Sequence, residues 1–96
     1  MRNRYLVCYD VSDEKRLQRT YKKMQGFGQP VQYSVFVCDL SPTGRVRLEE
    51  ALTKILNMKE DRVLIVDTGP TEGRGQECFT VLGKPTPLPS RGPVVV

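Results

Sequence analysis

The order of strand-like and helix-like hydrophobic patterns along this chain constrains its fold more than any other feature. Runs rich in β-branched and aromatic residues, which are typical of strands, cover Tyr5–Val11, Val31–Leu40 and Arg62–Asp67. Apolar residues at helical spacing fill the stretches between these runs, Ser12 to about Gln25 and Ser41 to about Asn57. The longest run turns apolar on both faces after Ser34, so we expect two strands there, at about Gln29–Tyr33 and Val35–Leu40.

The resulting order is β-α-β-β-α-β, with a short fifth strand predicted over Cys78–Leu82, after a glycine-rich loop. Right-handed crossovers turn this order into an α+β, ferredoxin-like fold, in which a four-stranded antiparallel sheet carries both helices on one face. Because the strands are apolar on both faces, the opposite face also needs cover, and a second copy of the sheet is the simplest candidate. We therefore predict a homodimer that packs sheet against sheet.

One domain accounts for most of the chain. We expect residues 1–82 to form the ferredoxin-like domain, and the proline-rich tail 83–96 to lie across the partner protomer. The fifth strand is predicted to pair with the edge of the partner's sheet. The prolines that follow it are compatible with this position, because a residue at a sheet edge does not have to donate a backbone hydrogen bond. The sequence contains no apolar run of 18 residues, which excludes a membrane span.

The residue composition excludes several kinds of site. The chain has no histidine, which rules out histidine-based acid–base catalysis and argues against a zinc site. Its three cysteines, Cys8, Cys38 and Cys78, lie far apart in strand-like runs, so we interpret them as buried free thiols of a reducing, cytoplasmic protein. The net charge of +4 favours a polyanionic partner.

Strand-like runs that end on an aspartate draw attention to Asp10. A carboxylate at the rim of a rigid sheet is a hard oxygen ligand of the kind that Mg²⁺ needs for phosphate chemistry. We expect the first and third strands to run parallel, so that Asp10 and Asp39 would lie at the same edge of the sheet. The fourth strand would run the other way and place Asp67 at the opposite edge. Either Asp39 or a second Asp10 across a dimer axis could then complete a metal site. The alternative is that these are ordinary strand-end carboxylates that cap turns or pair with cations.

The first predicted helix carries most of the positive charge. Its cations are Lys15, Arg16, Arg19, Lys22 and Lys23. Many of them are three or four residues apart, so their like charges repel one another. The helix surface is therefore either a phosphate-binding face or a face that is only solvated. Arg16, Arg19 and Lys23 share a face suited to a phosphate backbone. We expect Tyr9 to be packed, with its hydroxyl group as a candidate contact to substrate.

Three features together resemble a known family: Tyr9-Asp10 after an apolar strand, the cationic helix, and the segment Gln32–Phe36. The family is that of the small CRISPR-associated endoribonucleases, the second of the two core spacer-acquisition proteins, and the resemblance covers about residues 4–82. It implies a ferredoxin-like homodimer in which Asp10 of both protomers surrounds one Mg²⁺ site at the two-fold axis. It also implies cleavage of RNA or DNA, and a bridging role in the integrase complex that inserts spacers into a CRISPR array.

Under this resemblance Asp10 is the catalytic and metal-binding residue. The residues expected to contact nucleic acid are Lys15, Arg16, Arg19, Lys23 and Tyr9. The chain departs from many relatives at Val37, where an acid often follows Ser-Val-Phe; this weakens the nuclease assignment and leaves the bridging role intact. Two other functions stay open, namely a non-catalytic nucleic-acid-binding scaffold and a ferredoxin-like module that binds a small regulatory molecule.

Overall fold

Two helices cover one face of a four-stranded antiparallel sheet in the computed structural model, which describes residues 1–85. The elements are β1 (Asn3–Asp10), α1 (Glu14–Met24), β2 (Gln29–Gln32), β3 (Val35–Leu40), α2 (Pro42–Ile55), β4 (Arg62–Pro70) and α3 (Arg74–Glu77). The strand order in the sheet is β2-β3-β1-β4. This arrangement confirms the predicted α+β, ferredoxin-like fold and the predicted division of the Val31–Leu40 run into two strands.

The direction of β3 differs from the sequence-based expectation. β1 pairs antiparallel with both of its neighbours, and Arg4 of β1 lies opposite Asp39 of β3. The expectation that β1 and β3 run parallel was therefore wrong. In a split βαβ unit the crossover makes β1 and β2 parallel, and β3 then returns between them as the hairpin partner of β2. As a consequence, Asp39 lies at the opposite end of β1 from Asp10, six residues or about 20 Å away.

The hydrophobic core lies between the helices and one face of the sheet. Alternate residues of β1 (Tyr5, Val7 and Tyr9) point into it, because successive side chains of a strand face opposite sides. The other buried members of the core are Val11, Met24, Phe36, Cys38, Leu40, Leu48 and Leu52. This single core includes residues of both long helices and of the two central strands, so the site-bearing ends of β1 and α1 belong to one rigid unit.

Both long helices begin at a side-chain cap. Ser41 accepts a hydrogen bond from the backbone N–H of Gly44 (3.1 Å), and Pro42 is the first residue of α2, as expected. Asp13, and not the predicted Ser12, caps α1: its carboxylate accepts from the N–H of Arg16 at 2.9 Å. Ser12 instead contacts the turn before β4, because its backbone N–H donates a hydrogen bond to the carboxylate of Asp61.

A glycine allows the chain to leave α1 close to β3. A Cβ atom placed on Gly28 would lie 2.6 Å from the sulfur of Cys38 and would overlap the carbonyl oxygen of Val37. A side chain at this position would therefore displace the backbone that links α1 to β2.

The opposite face of the sheet is apolar, and the helices within residues 1–85 leave much of it uncovered. Leu6 and Cys8 of β1 alternate with the core residues, and on the edge strand β4 the side chain of Leu64 is 58% exposed. We call this surface the open face. At one end of it α3 approaches β1, where a Cβ atom on the buried Gly75 would lie 2.8 Å from that of Arg4. The open face is the surface on which a second copy was predicted to pack.

The C-terminal part of the domain differs from the prediction. β4 continues to Pro70, beyond the predicted end at Asp67, because Asn3 of β1 extends the pairing to that residue. The predicted loop at 71–76 contains the start of α3, and residues 78–82 form no strand in the single chain. A strand needs an edge to pair with, so the predicted pairing of Cys78–Leu82 with a partner stays a prediction. Most of the predicted tail, residues 86–96, lies outside the described residues.

No helix within residues 1–85 is long and apolar enough to cross a membrane.

Candidate active site and nucleic-acid interface

Asp10 is the last residue of β1 and is exposed to solvent. It lies opposite Arg62 of β4 and, by alternation, on the open face with Leu6 and Cys8. The backbone that carries Asp10 is held by its pairing with β4, while the pairing of β1 with β3 ends two residues earlier, at Cys8. Within residues 1–85, neither a hydrogen bond nor an ion pair engages its carboxylate. Asp10 is therefore a rigidly placed carboxylate with its oxygens available.

One chain supplies few metal ligands at this end of the sheet. The part of the chain that the structure describes contains no group of three or more His, Cys, Asp or Glu side chains that could hold a metal ion. A carboxylate oxygen fits the chemistry of Mg²⁺, but a single one is too few for six-fold coordination without water, substrate or a second protein chain. Asp10 is thus compatible with a magnesium site that is shared between two copies, and not with one built within a single chain.

Asp39 has a structural role and does not join Asp10. It accepts two hydrogen bonds from Arg4, from Nε at 2.8 Å and from Nη2 at 3.0 Å. The Arg4 side chain is only 2% exposed, so this bidentate pair balances a buried charge at the far end of the sheet. The sequence-based alternative in which Asp39 completes a metal site around Asp10 is wrong, since antiparallel pairing separates the two carboxylates.

Asp61 lies at the centre of a polar cluster that sequence reasoning missed. Its side chain is fully shielded from solvent and accepts hydrogen bonds from the backbone N–H groups of Ser12 (3.0 Å) and Asn57 (2.8 Å). Arg16 adds bonds to both carboxylate oxygens, from Nε at 2.8 Å and from Nη2 at 3.2 Å. The bond from Arg16 is the main reason why the pKa of Asp61 is held well below its ordinary value, against the opposing effect of burial. The cluster ties α1 to the turn before β4.

This cluster changes the interpretation of Arg16. Its guanidinium also donates to Glu60 at 3.1 Å, so both partners come from the turn that follows α2. Arg16 was predicted to contact nucleic acid together with Arg19 and Lys23. In the structure its Nε and Nη2 atoms donate to the carboxylates of Asp61 and Glu60. The sequence offered no local signal for this pairing, because Arg16 and Asp61 are 45 residues apart.

The remaining cations of α1 are exposed. Lys15, Arg19, Lys22 and Lys23 make no ion pair within residues 1–85. They border two depressions. The first, which we call the helix groove, has a volume of about 700 Å³ and lies between α1 and α2. Its basic residues are Arg19, Lys22, Lys23, Arg47 and Lys54.

The second depression, which we call the tyrosine groove, lies between α1 and the turn that joins β2 to β3. It is an open groove of about 1120 Å³. Its aromatic and basic residues are Tyr9, Tyr21, Tyr33, Lys15, Arg19 and Lys22. Arg19 and Lys22 therefore form a ridge that borders both grooves.

Tyr9 is packed, as predicted, and contributes to the floor of the tyrosine groove. Its ring stacks on Phe36, with 6.2 Å between the centroids, and Tyr21 contacts Phe36 edge-on at 5.4 Å. Burial, and to a lesser degree the nearby Tyr21, raises the pKa of the Tyr9 hydroxyl, while a hydrogen bond with Ser34 opposes the rise. The hydroxyl is thus a neutral group at neutral pH.

Comparison with known proteins assigns the family. The model of the family described as "CRISPR associated protein Cas2" matches residues 2–72, which include β1, Asp10 and all of α1. The chain belongs to the Cas2 family. The resemblance inferred from the sequence is therefore confirmed.

Individual relatives agree with this assignment. A protein named CRISPR-associated endoribonuclease Cas2, from Geobacter sulfurreducens, is 43% identical over 72 residues, which are 75% of this chain and 76% of the relative. The crystal structure of Streptococcus pyogenes Cas2 is 34% identical and covers 83% of this chain and 99% of that chain, with a TM-score of 0.72. A hypothetical protein from Thermus thermophilus, TT1823, has a TM-score of 0.76 at 29% identity and covers 94% of this chain and 100% of that one.

Proposed function

We propose that this chain acts in CRISPR adaptation as a homodimer that binds nucleic acid, bridges the spacer-acquisition integrase complex and cleaves RNA or DNA as a Mg²⁺-dependent endonuclease. The observation that carries the proposal is the position of Asp10 at the end of β1, on the open face, where its carboxylate has no hydrogen-bond or ion-pair partner among residues 1–85. Membership of the Cas2 family supports the role in adaptation. The name endoribonuclease, which relatives such as the one from Geobacter sulfurreducens carry, supports the nuclease activity.

The open face supports the dimer. Exposing apolar surface to water costs about 25 cal/mol per Å². Leu64 and Val66 of the edge strand β4 are both exposed on the open face. In a two-fold dimer the same face of each copy meets its counterpart, so residues near the axis occur twice. The Asp10 carboxylates of two copies would then supply the second protein ligand that a single chain lacks.

The chemistry assigned to Asp10 follows from the absence of histidine. A bound Mg²⁺ would activate water and stabilise the charge that develops on the phosphate during hydrolysis. The role of Asp10 is to hold that ion with a hard oxygen ligand on a rigid strand. The C-terminal segment Cys78–Leu82 has the exposed apolar residues Val81 and Leu82, which suits our proposal that it joins the partner's sheet.

Nucleic acid is proposed to bind along α1. Lys15, Arg19 and Lys23 are exposed cations without carboxylate partners within residues 1–85, and cations of this kind contact phosphates. Tyr9 reaches this surface through the tyrosine groove. Arg16 is assigned a positioning role, because its bonds to Asp61 set the start of α1 against the rest of the domain.

The catalytic part of the proposal predicts a specific effect of Asp10→Asn. The substitution keeps the shape of the side chain and removes its charge, so folding and duplex binding should be unchanged. If the metal contributes about 4 kcal/mol to the transition state, cleavage should fall about a thousandfold. Cleavage of labelled single-stranded RNA, single-stranded DNA and duplex is measured with Mg²⁺ and with EDTA. Asp67→Asn is the matched control, since Asp67 is an exposed carboxylate of β4 near the other end of β1.

A second candidate function is a scaffold that binds nucleic acid without cleaving it. The observation in its favour is that the described residues of one chain contain no group of three or more His, Cys, Asp or Glu side chains that could hold a metal ion. The same experiment distinguishes the two functions. Wild-type protein that binds duplex equally well with and without EDTA, and cleaves none of the substrates in Mg²⁺, would contradict the nuclease and leave the scaffold.

A further inference from the structure

Tyr33 is the aromatic residue whose position has no structural explanation within the domain. It forms, with Ser34, the two-residue turn between β2 and β3, and its side chain is 87% exposed. The turn is well defined: Gln32 pairs with Val35 across it, and the carbonyl oxygen of Ser34 accepts a hydrogen bond from the N–H of Tyr9 at 3.1 Å. The backbone therefore places a large aromatic side chain in solvent at a defined position of the surface.

The ring borders a surface on which other aromatic side chains are already in contact. Tyr33 lines the tyrosine groove together with Tyr9 and Tyr21, which both pack on Phe36 beneath it. Ser34 has a positive φ of 60°, an unusual conformation for a residue other than glycine. Such a conformation persists because its surroundings hold it, and here it orients the turn at the mouth of the groove.

The charges of the tyrosine groove select an anionic ligand. Lys15, Arg19 and Lys22 line it from α1, and Glu14 is the one carboxylate among the described residues that line it. Lys15 and Arg19 are four residues apart, so they lie about 6 Å apart along the helix axis. This spacing suits successive phosphates of one extended strand. Rows of cations beside exposed aromatic rings are the features with which proteins bind single-stranded nucleic acid, because every base has a face that can stack.

We infer that the tyrosine groove binds an unpaired segment of a nucleic-acid strand, with a base stacked on Tyr33 and its phosphates held by Lys15, Arg19 and Lys22. The inference rests on the nucleic-acid binding proposed above and adds a site for unpaired nucleotides on the surface of α1. The ridge of Arg19 and Lys22 borders both grooves, so one strand can continue from one groove into the other.

A fluorescent reporter tests the stacking directly. The chain has no tryptophan, so Tyr33→Trp introduces a single one at the mouth of the groove. Its emission should be quenched by a duplex with an unpaired tail and by a short single strand, but not by the same duplex with blunt ends. Val46→Trp is the matched control, because Val46 is an exposed residue of α2 that does not line the groove. Equal quenching of both reporters, or none by the tail, would overturn the inference.

Binding measurements provide the second arm. Tyr33→Ala should weaken binding of the tailed duplex at least about fivefold, the equivalent of about 1 kcal/mol, and leave binding of the blunt duplex unchanged. Tyr33→Phe keeps the ring and should bind like the wild type. Affinity is measured by anisotropy of labelled duplexes, with circular dichroism as the check of folding.

The possible failures are distinguishable. If wild-type protein binds the blunt duplex and the tail adds no affinity, the inference fails and the proposed function stands. If Tyr33→Ala weakens blunt and tailed duplexes equally, Tyr33 contacts duplex and the site for unpaired nucleotides is refuted. If wild-type protein binds neither, both proposals fail. Displacement of the tail by a polyglutamate peptide as effectively as by a single strand would make the groove a site for acidic protein segments.

Discussion

Arg16 and Arg19 lie one turn apart on α1, yet their replacement by alanine should change different properties. Arg19→Ala should change the salt dependence of DNA binding, and Arg16→Ala should change the stability of the fold. Arg19 has no carboxylate partner within residues 1–85, so its positive charge is available for phosphate. If it neutralises one phosphate of a duplex, Arg19→Ala should reduce the slope of log K against log salt by about 0.9. Between 50 and 200 mM salt, the variant should therefore lose about 3.5-fold less affinity than the wild type does.

Arg16→Ala should act on stability. It removes the guanidinium that donates to Asp61 and Glu60, and it leaves a shielded carboxylate with only neutral donors, the backbone N–H groups of Ser12 and Asn57 and the Ser12 hydroxyl. A buried charge that loses its partner destabilises a fold, so the midpoint of urea unfolding should fall clearly. The salt slope should stay that of the wild type, because a guanidinium occupied by carboxylates releases no counterion from DNA.

Both variants are compared in two assays. Fluorescence anisotropy of a labelled blunt duplex is recorded at several salt concentrations between 50 and 200 mM, and unfolding in urea is followed by circular dichroism. Arg74→Ala, on the exposed surface of α3, is the control for a general loss of one positive charge. Equal reductions of the salt slope in Arg16→Ala and Arg19→Ala, with wild-type stability in both, would refute the assignment. An unchanged slope in Arg19→Ala would show that the cations of α1 are merely solvated.

Three further predictions concern the fold, its pH dependence and its assembly. Gly28→Ala should lower the free energy of unfolding by about 3 kcal/mol, measured in urea, since the new Cβ would overlap β3; wild-type stability would contradict the geometry. The pKa of Asp61 is lower in the folded state than its unfolded value of 3.8, so its stabilising contribution is present above that pH and is lost as the pH falls towards the folded pKa. The stability advantage of the wild type over Asp61→Asn should therefore shrink below about pH 4, and a constant difference from pH 7 to pH 2 would exclude this origin. Leu64→Lys, which adds charge to the open face, should convert a dimer of about 22 kDa into the 10.9 kDa chain in sedimentation; a wild type that is monomeric at micromolar concentration would refute the dimer.

The types and order of the main elements could be predicted because they depend on local patterns. Val35–Leu40 was predicted as a strand and is observed with those bounds, and α2 begins at Pro42 behind its Ser41 cap. The family resemblance likewise rested on residues close together in sequence, such as Tyr9 and Asp10. Asp10 itself could be singled out because a strand that ends on an acid is visible in the sequence.

The relations between distant residues could not be predicted in this way. The antiparallel direction of β3 separates Asp39 from Asp10 and pairs it with Arg4, 35 residues earlier. The pairing of Arg16 with Asp61 likewise joins residues that share no local pattern. Each of these contacts depends on how the crossovers bring separate segments together, and hydrophobic spacing carries no information about that.

The sequence alone therefore determined which segments are strands and helices, which end of β1 carries the lone Asp10, and that α1 is cationic. These features follow from side-chain periodicity, capping and local charge. Only the tertiary structure decided which of the cations are available and which aromatic side chain is left in solvent. Among residues 1–85, Arg16 has carboxylate partners and Arg19 has none, because the turn before β4 packs against only the start of α1. Tyr33 is exposed because its turn lies beyond the edge of the core.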